Sequence, residues 1–293
     1  VSQAIGELTS NCHTCALSRP PGTETLMPSS FPSRPWERVG SDLFYHKNRW
    51  YVLVVDYYSR WAEVRALEGS QTSADVVHKI KSIFATHGVP DIVVSDNGPQ
   101  YSSTAFQSFA KAYDFSHVTS SPRYPQSNGE AERAVQTVKA LLTKNDSDPY
   151  LGLLAYRTAP LENGFSPAEL LMGRQLNSRL PVTQTQLEPN RKDLSSLGEK
   201  EQVQRQKQRA NFNRRHRARD MDSLSPGDNV WIRDMQRHGQ VSARSNNPRS
   251  YEVQSGNVTL RRNRSALVAT PGTSHQPIVA PYIPGYTVLS ESL

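Results

Sequence analysis

The sequence predicts an α/β domain followed by a charged helical stretch and a small strand-rich unit. Three observations predict it. Three β-like runs with short links open the globular part, and strands then alternate with helices. Residues 190–220 are charged and poor in large apolar side chains. Beyond them, Ser225-Pro226-Gly227-Asp228 feeds Val230-Trp231-Ile232, a turn running into a short strand.

Residues 1–35 carry Cys12 and Cys15 and then a run rich in Ser, Thr and Pro, which reads as a tail and linker. From Trp36 the texture is globular. Residues 39–45 read as a strand. Residues 50–56 form a continuous apolar run, as in a strand buried on both faces. Residues 61–67 give a third strand, and the short links make the three an antiparallel meander. In residues 72–86, Val76, Val77, Ile80, Ile83 and Phe84 recur at helical spacing. Thr72, three before Asp75, marks the start of this helix, and Gly88-Val89-Pro90 ends it. A short buried strand at 92–94, a helix at 103–113 and a last strand at 115–119 follow.

Residues 126–144 form an amphipathic helix. Ser127 and Glu130 make a capping box, and Ala131, Ala134, Val135, Val138, Leu141 and Leu142 make the buried face. Residues 151–157 and 166–172 give two more helices, broken by Pro160 and Gly164. This domain runs to about Pro189. The charged stretch reads as a helical linker, and strands follow at 229–233, 239–242, 249–254 and 258–262. The unit is short between Asp234 and Gln240, where a strand is expected to be clipped. Trp231 and Tyr251 are expected in its core rather than stacked on a ligand.

Formal net charge is +7 over 293 residues, and its distribution is uneven. Residues 191–270 hold 17 Lys and Arg against 8 Asp and Glu, whereas residues 1–190 hold 17 against 18. Phosphate backbones are the commonest partner of such a block, because binding releases their counterions. Arg214, Arg215, Arg217, Arg261 and Arg262 are its candidate phosphate contacts. A solvated basic linker is the plainer alternative. No 18-residue apolar run is present, so no membrane partner is expected, and no signal-peptide core opens the chain. Two cysteines three residues apart do not make a secreted disulfide framework. The chain opens on Val1, as a piece of a longer polyprotein or a shortened gene would.

Three carboxylates carry the chemistry. Asp42 sits in Val39-Gly40-Ser41-Asp42-Leu43-Phe44-Tyr45, on a strand where a lone aspartate is costly to bury unless paired or metal-bound. Asp96 sits in Ser95-Asp96-Asn97-Gly98, a turn sequence that presents its carboxylate outward from a strand end. Glu132 follows Asp96 after a gap of 35 residues. Glu130 is accounted for by capping. Glu132 lies off the apolar face, with Gln136 and Lys139 on its side. A strand, a strand end and a helix each offering a carboxylate suit a two-metal phosphoryl-transfer site, in which hard cations about 3.5–4 Å apart take oxygen ligands.

With their order, spacing and flanking residues taken together, the three acids resemble those of gypsy-type retrotransposon integrases, relatives of the retroviral integrases. Ala155-Tyr156-Arg157-Thr158-Ala159-Pro160, the segment from Phe165 to Arg174, Pro248-Arg249-Ser250-Tyr251 and Arg261-Arg262-Asn263-Arg264 carry the likeness further. The resemblance spans about residues 12–271. It implies a remnant zinc module and linker over 1–35, and an RNase H-like core over 36–189 with a mixed five-stranded sheet and helices. A basic linker over 190–222, an SH3-like barrel over 223–270 and a tail over 271–293 complete it.

For the site, the resemblance implies Asp42, Asp96 and Glu132 as catalytic ligands of two Mg²⁺ or Mn²⁺ ions. Asn97 would line the site, and Asn128 and Lys139 would meet the element's DNA end. Cys12 and Cys15 are half a zinc site. The family's histidine pair would lie before Val1, and His13 sits between the cysteines, so no intact zinc site is expected. The implied activity is 3′-end processing and strand transfer by a homo-multimer on DNA in the nucleus. A domesticated, inactive DNA-binding protein is the alternative; a transposase or nuclease on the same core is a third.

Overall fold

A computed structural model describes residues 23–27, 30–69, 71–119, 129–144, 148–189 and 196–270; for 129–132 it describes the backbone alone. The first sheet is built from β1 (Arg38–His46), β2 (Arg49–Asp56), β3 (Ala62–Ala66), β4 (Ile92–Ser95) and β5 (Ser116–Thr119), in the order β3-β2-β1-β4-β5. The first three strands form the antiparallel meander expected from their short links. β4 and β5 run parallel to β1, each entered through a helix. This is the mixed five-stranded sheet of an RNase H-like core.

Each face of the sheet has its own core because side chains alternate along a strand. On one face Val39, Val52, Val54 and Val93 pack under α1 (Ser73–His87) and α2 (Thr104–Tyr113). The expected residues of α1 are all buried, and burial of each such side chain is worth about 1.5–3 kcal/mol before entropy is counted. Thr72 and Ser103 cap the two helices, accepting from the backbone N–H groups of Asp75 and Phe106. On the other face Phe44, Leu53, Val55 and Val94 pack under α3 (Gly129–Lys144), through Ala134, Val135, Val138 and Leu142. Leu153 of α4 (Pro149–Thr158) extends that layer. The Ser127–Glu130 capping box lies outside the described residues.

Asp56, fully buried at the end of β2, closes the β2–β3 turn. It accepts from the backbone of Trp36 and Ser59 at 3.0 Å and from the Ser59 hydroxyl at 2.5 Å. Burial raises its carboxyl above the ordinary aspartate value, against those donors. Its partners are structural, and it takes no part in the carboxylate constellation.

After α5 (Pro167–Met172) and the single turn α6 (Gln184–Leu187) comes α7 (Leu197–Arg215). The charged stretch is helical as expected, but its first half is more than a linker. Leu197 is buried against Tyr58 and Leu170. Glu201 is buried too, held by Arg60 at 2.9 Å and by the Asn163 amide at 3.0 Å.

The second sheet, all antiparallel, orders β6 (Asn229–Ile232), β7 (Arg237–Arg244), β8 (Ser250–Ser255), β9 (Val258–Asn263) and β10 (Leu267–Ala269) as β10-β6-β7-β8-β9. It forms the expected SH3-like barrel. No strand is clipped: a four-residue turn replaces the missing length, β7 is longer than its apolar residues indicate, and β10 adds a strand beyond the 3₁₀ turn at 264–266. Tyr251 is in the core as expected. Trp231 is not; it is half-buried, edge-on to His238.

Candidate active site

β1 and β4 bring two of the three acids together. Gly40 pairs with Val94 in the parallel ladder, and the same offset carried two residues sets Asp42 level with Asp96. Phe44, Ile92 and Val94 pack on the α3 face, so the two-residue period turns Asp42 and Asp96 to that face as well. Asp42 is half-buried and accepts the N–H of Leu43 at 2.7 Å. Asp96 is exposed and accepts the N–H of Gly98 at 3.0 Å. A Cβ at Gly98 would lie 3.0 Å from that same carboxylate oxygen, so glycine leaves room for the turned-back side chain. The turn role expected for Asp96 is thus present.

A polar layer supports the pair from the opposite face, and no local pattern in the sequence announces it. The Ser41 hydroxyl donates to the Leu53 carbonyl at 3.1 Å and lies 2.7 Å from the Tyr101 hydroxyl. Burial raises the Tyr101 phenol well above its ordinary value, and the charges of Asp42 and Asp96 raise it further, against the Ser41 hydrogen bond. Beside it, the Ser95 hydroxyl reaches the Asp96 carbonyl and the His117 imidazole, each at 2.8 Å. Burial pushes His117 down, toward the neutral ring. These pairs span 60 and 22 residues of chain, so only the fold joins them.

Glu132 lies in the first turn of α3; its side chain and the whole of Asn128 are outside the described residues. Among the described residues, no three His, Cys, Asp or Glu side chains gather as a metal set. Lys139, seven residues on, is half-buried with its ammonium 5.6 Å from the Phe44 ring centroid. Phe44 is two residues from Asp42 on the same face of β1, so Lys139 and Asp42 share that face. Asn97 is exposed next to Asp96. Two adjacent carboxylates are an oxygen-only donor set, which fits Mg²⁺ or Mn²⁺.

The basic residues fall into two groups. Arg214, Arg215 and Arg217 lie at the end of α7 and just beyond it, facing solvent. Arg261 and Arg262 are half-buried in contacts of their own: Arg261 donates to the Thr119 hydroxyl at 2.9 Å, and Arg262 pairs with Asp234 at 3.1 Å. Cys12, Cys15 and the tail from residue 271 lie outside the described residues.

A mixed five-stranded RNase H-like sheet, with Asp42 on β1 and Asp96 just past β4, is followed by a five-stranded SH3-like unit. Residues 32–125 match the integrase core domain. Over those residues the chain carries an integrase core of the retroviral type. It is 32% identical over 189 residues to the uncharacterized protein K02A2.6 of Caenorhabditis elegans, covering 61% of this chain and 15% of that one. To the Gag-Pol polyprotein of baboon endogenous virus (strain M7) it is 30% identical over 191 residues, covering 59% and 11%. The chain therefore spans a small part of these relatives' length. Among solved structures, a chain of the simian T-cell lymphotropic virus intasome in complex with PP2A regulatory subunit B56 gamma aligns over 93% of this chain and 92% of its own. The TM-score is 0.60 at 16% identity, a likeness of fold.

Proposed function

We propose that this chain inserts element DNA into target DNA, by 3′-end processing followed by strand transfer. The observation that carries the reading is the placement of Asp42 on β1 and Asp96 just past the end of β4, two adjacent parallel strands, with the charges of both acting on Tyr101. Asp42, Asp96 and Glu132 would hold two Mg²⁺ or Mn²⁺ ions, which when bound neutralise charge at the attacked phosphate and make the nucleophile more acidic. The chain itself binds and orients. Lys139, Asn97 and Asn128 receive the element's DNA end beside the carboxylates. Arg214, Arg215 and Arg217 hold phosphates without reading sequence. Water cleaves a phosphodiester at the element's end; the freed 3′-hydroxyl then attacks a target phosphodiester in line and expels a target 3′-oxygen. One site serves both steps because only the nucleophile changes. Two ends joined together require a homo-multimer, and the reaction belongs in the nucleus.

The test is strand transfer from a short duplex carrying the element's end, with Mn²⁺ and the Asp42→Asn variant as control. Joined product that vanishes in the variant is expected. Tight, salt-sensitive duplex binding with no product from the parent chain would instead identify a DNA-binding protein that has lost its chemistry.

A further inference from the structure

The barrel meets the core at Thr119, on the edge strand beside β4. Asn247, in the turn between β7 and β8, donates its side-chain N–H to the Thr119 carbonyl at 2.9 Å, and Arg261 of β9 donates to the Thr119 hydroxyl at 2.9 Å. Two separate barrel elements thus grip the backbone and the side chain of one residue. Thr119 ends β5 and is the ladder partner of Ser95, whose hydroxyl reaches the Asp96 carbonyl at 2.8 Å. β5 is also an edge strand of its sheet. The barrel is also tied to the segment after α7. Arg249 pairs with Asp220 at 2.9 Å, and Arg264 donates to the Asp222 carbonyl at 2.6 Å, both acceptors lying just beyond α7.

We propose that the barrel positions the Asp42–Asp96 pair, with Asn247 and Arg261 acting as positioning residues through Thr119 and Ser95. The proposal rests on the reading of that pair as a metal site. It gives the barrel a task inside the catalytic domain in addition to holding phosphates, and it makes Arg261 a structural donor.

The experiment uses the full chain and avoids removing charge. Mn²⁺ affinity, amide hydrogen exchange and duplex binding are measured for Asn247→Ala combined with Thr119→Val, and for Thr119→Ser alone. The double variant should bind Mn²⁺ about three- to tenfold more weakly, the scale of one ordinary hydrogen bond, and exchange faster at Val94, Ser95 and Asp96. Duplex affinity should stay within about twofold, since every phosphate-binding side chain is kept. Thr119→Ser keeps the hydroxyl and should match the parent. Unchanged exchange at the buried Val241 and Val253 shows that the barrel stays folded. Mn²⁺ binding that ignores Asp42→Asn would overturn the metal reading. Mn²⁺ binding that needs Asp42 but ignores the double variant would overturn the positioning role alone.

Discussion

Asp96 is exposed and accepts a turn N–H, so a neutral amide can replace its carboxylate without disturbing the core. Asp96→Asn should lower strand transfer by about a hundredfold or more, a loss typical of removing a group that stabilises transition-state charge, and leave duplex affinity unchanged. Loss of both activities in a folded variant would make Asp96 a DNA contact instead. Glu63 behaves oppositely. Burial would raise its carboxyl, but hydrogen bonds from His87 and Trp61 and the charges of Arg157 and Arg65 outweigh this and hold it at about 2, against an ordinary 4.5. The folded value is depressed, so the stabilisation is complete above about pH 4.5 and is lost as pH falls toward 2. It amounts to a few kcal/mol on an order-of-magnitude scale. Acid unfolding of Glu63→Gln should therefore show a flatter stability profile over that range, and an unchanged profile would refute the assignment. At this scale the sequence offers the acids as candidates, because turn and strand residues flank Asp42 and Asp96 locally. The supporting Ser41–Tyr101 and Ser95–His117 contacts stay hidden in it, since side chains distant in sequence meet only after strand pairing.

α7 shows why the elements are only partly legible. Its glutamates and glutamines read as solvent-facing, and Glu201 looks no different from its exposed neighbours in the sequence. What distinguishes it is Arg60, 141 residues away. Glu201→Ala would take the carboxylate from a guanidinium that is only 17% exposed. The expected cost is about 3–5 kcal/mol, read as a lower urea midpoint for the core. A cost below about 1 kcal/mol would mean that α7 is not seated on the core. The length of β7 is masked for a related reason: its Gly and polar residues conceal a strand whose inward positions are few. Gly239 lies against β8, where an added Cβ would come within 2.6 Å of Val253 and 2.9 Å of the Gln254 carbonyl. Gly239→Val should destabilise the barrel by about 1–3 kcal/mol, and a neutral result in thermal unfolding would show that the strands separate easily. β10 escapes notice because three residues are too few to carry a period.

For the whole molecule, the uneven charge is the most direct message of the sequence, and the structure divides it. Part of the basic block is spent on internal pairs such as Arg262–Asp234, while Arg214, Arg215 and Arg217 face solvent. Changing those three to Gln should make the slope of log duplex affinity against log salt shallower by about 0.9 for each phosphate no longer neutralised. An unchanged slope would assign DNA binding elsewhere. Truncation at residue 190 would be a poor version of this test, since it strips Leu197 and Glu201 from the core. Residues 23–26 give the molecule a further property, one of timing. The Thr25 carbonyl and hydroxyl receive Arg249, 224 residues away, and the Leu26 N–H reaches Asn213, 187 residues away. On the ribosome this stretch emerges well before α7 and the barrel, and Thr25 must wait until Arg249 has been made. Its closure is a long-range step that local helices and hairpins will precede, so a chain released before Arg249 leaves Thr25 without its guanidinium partner.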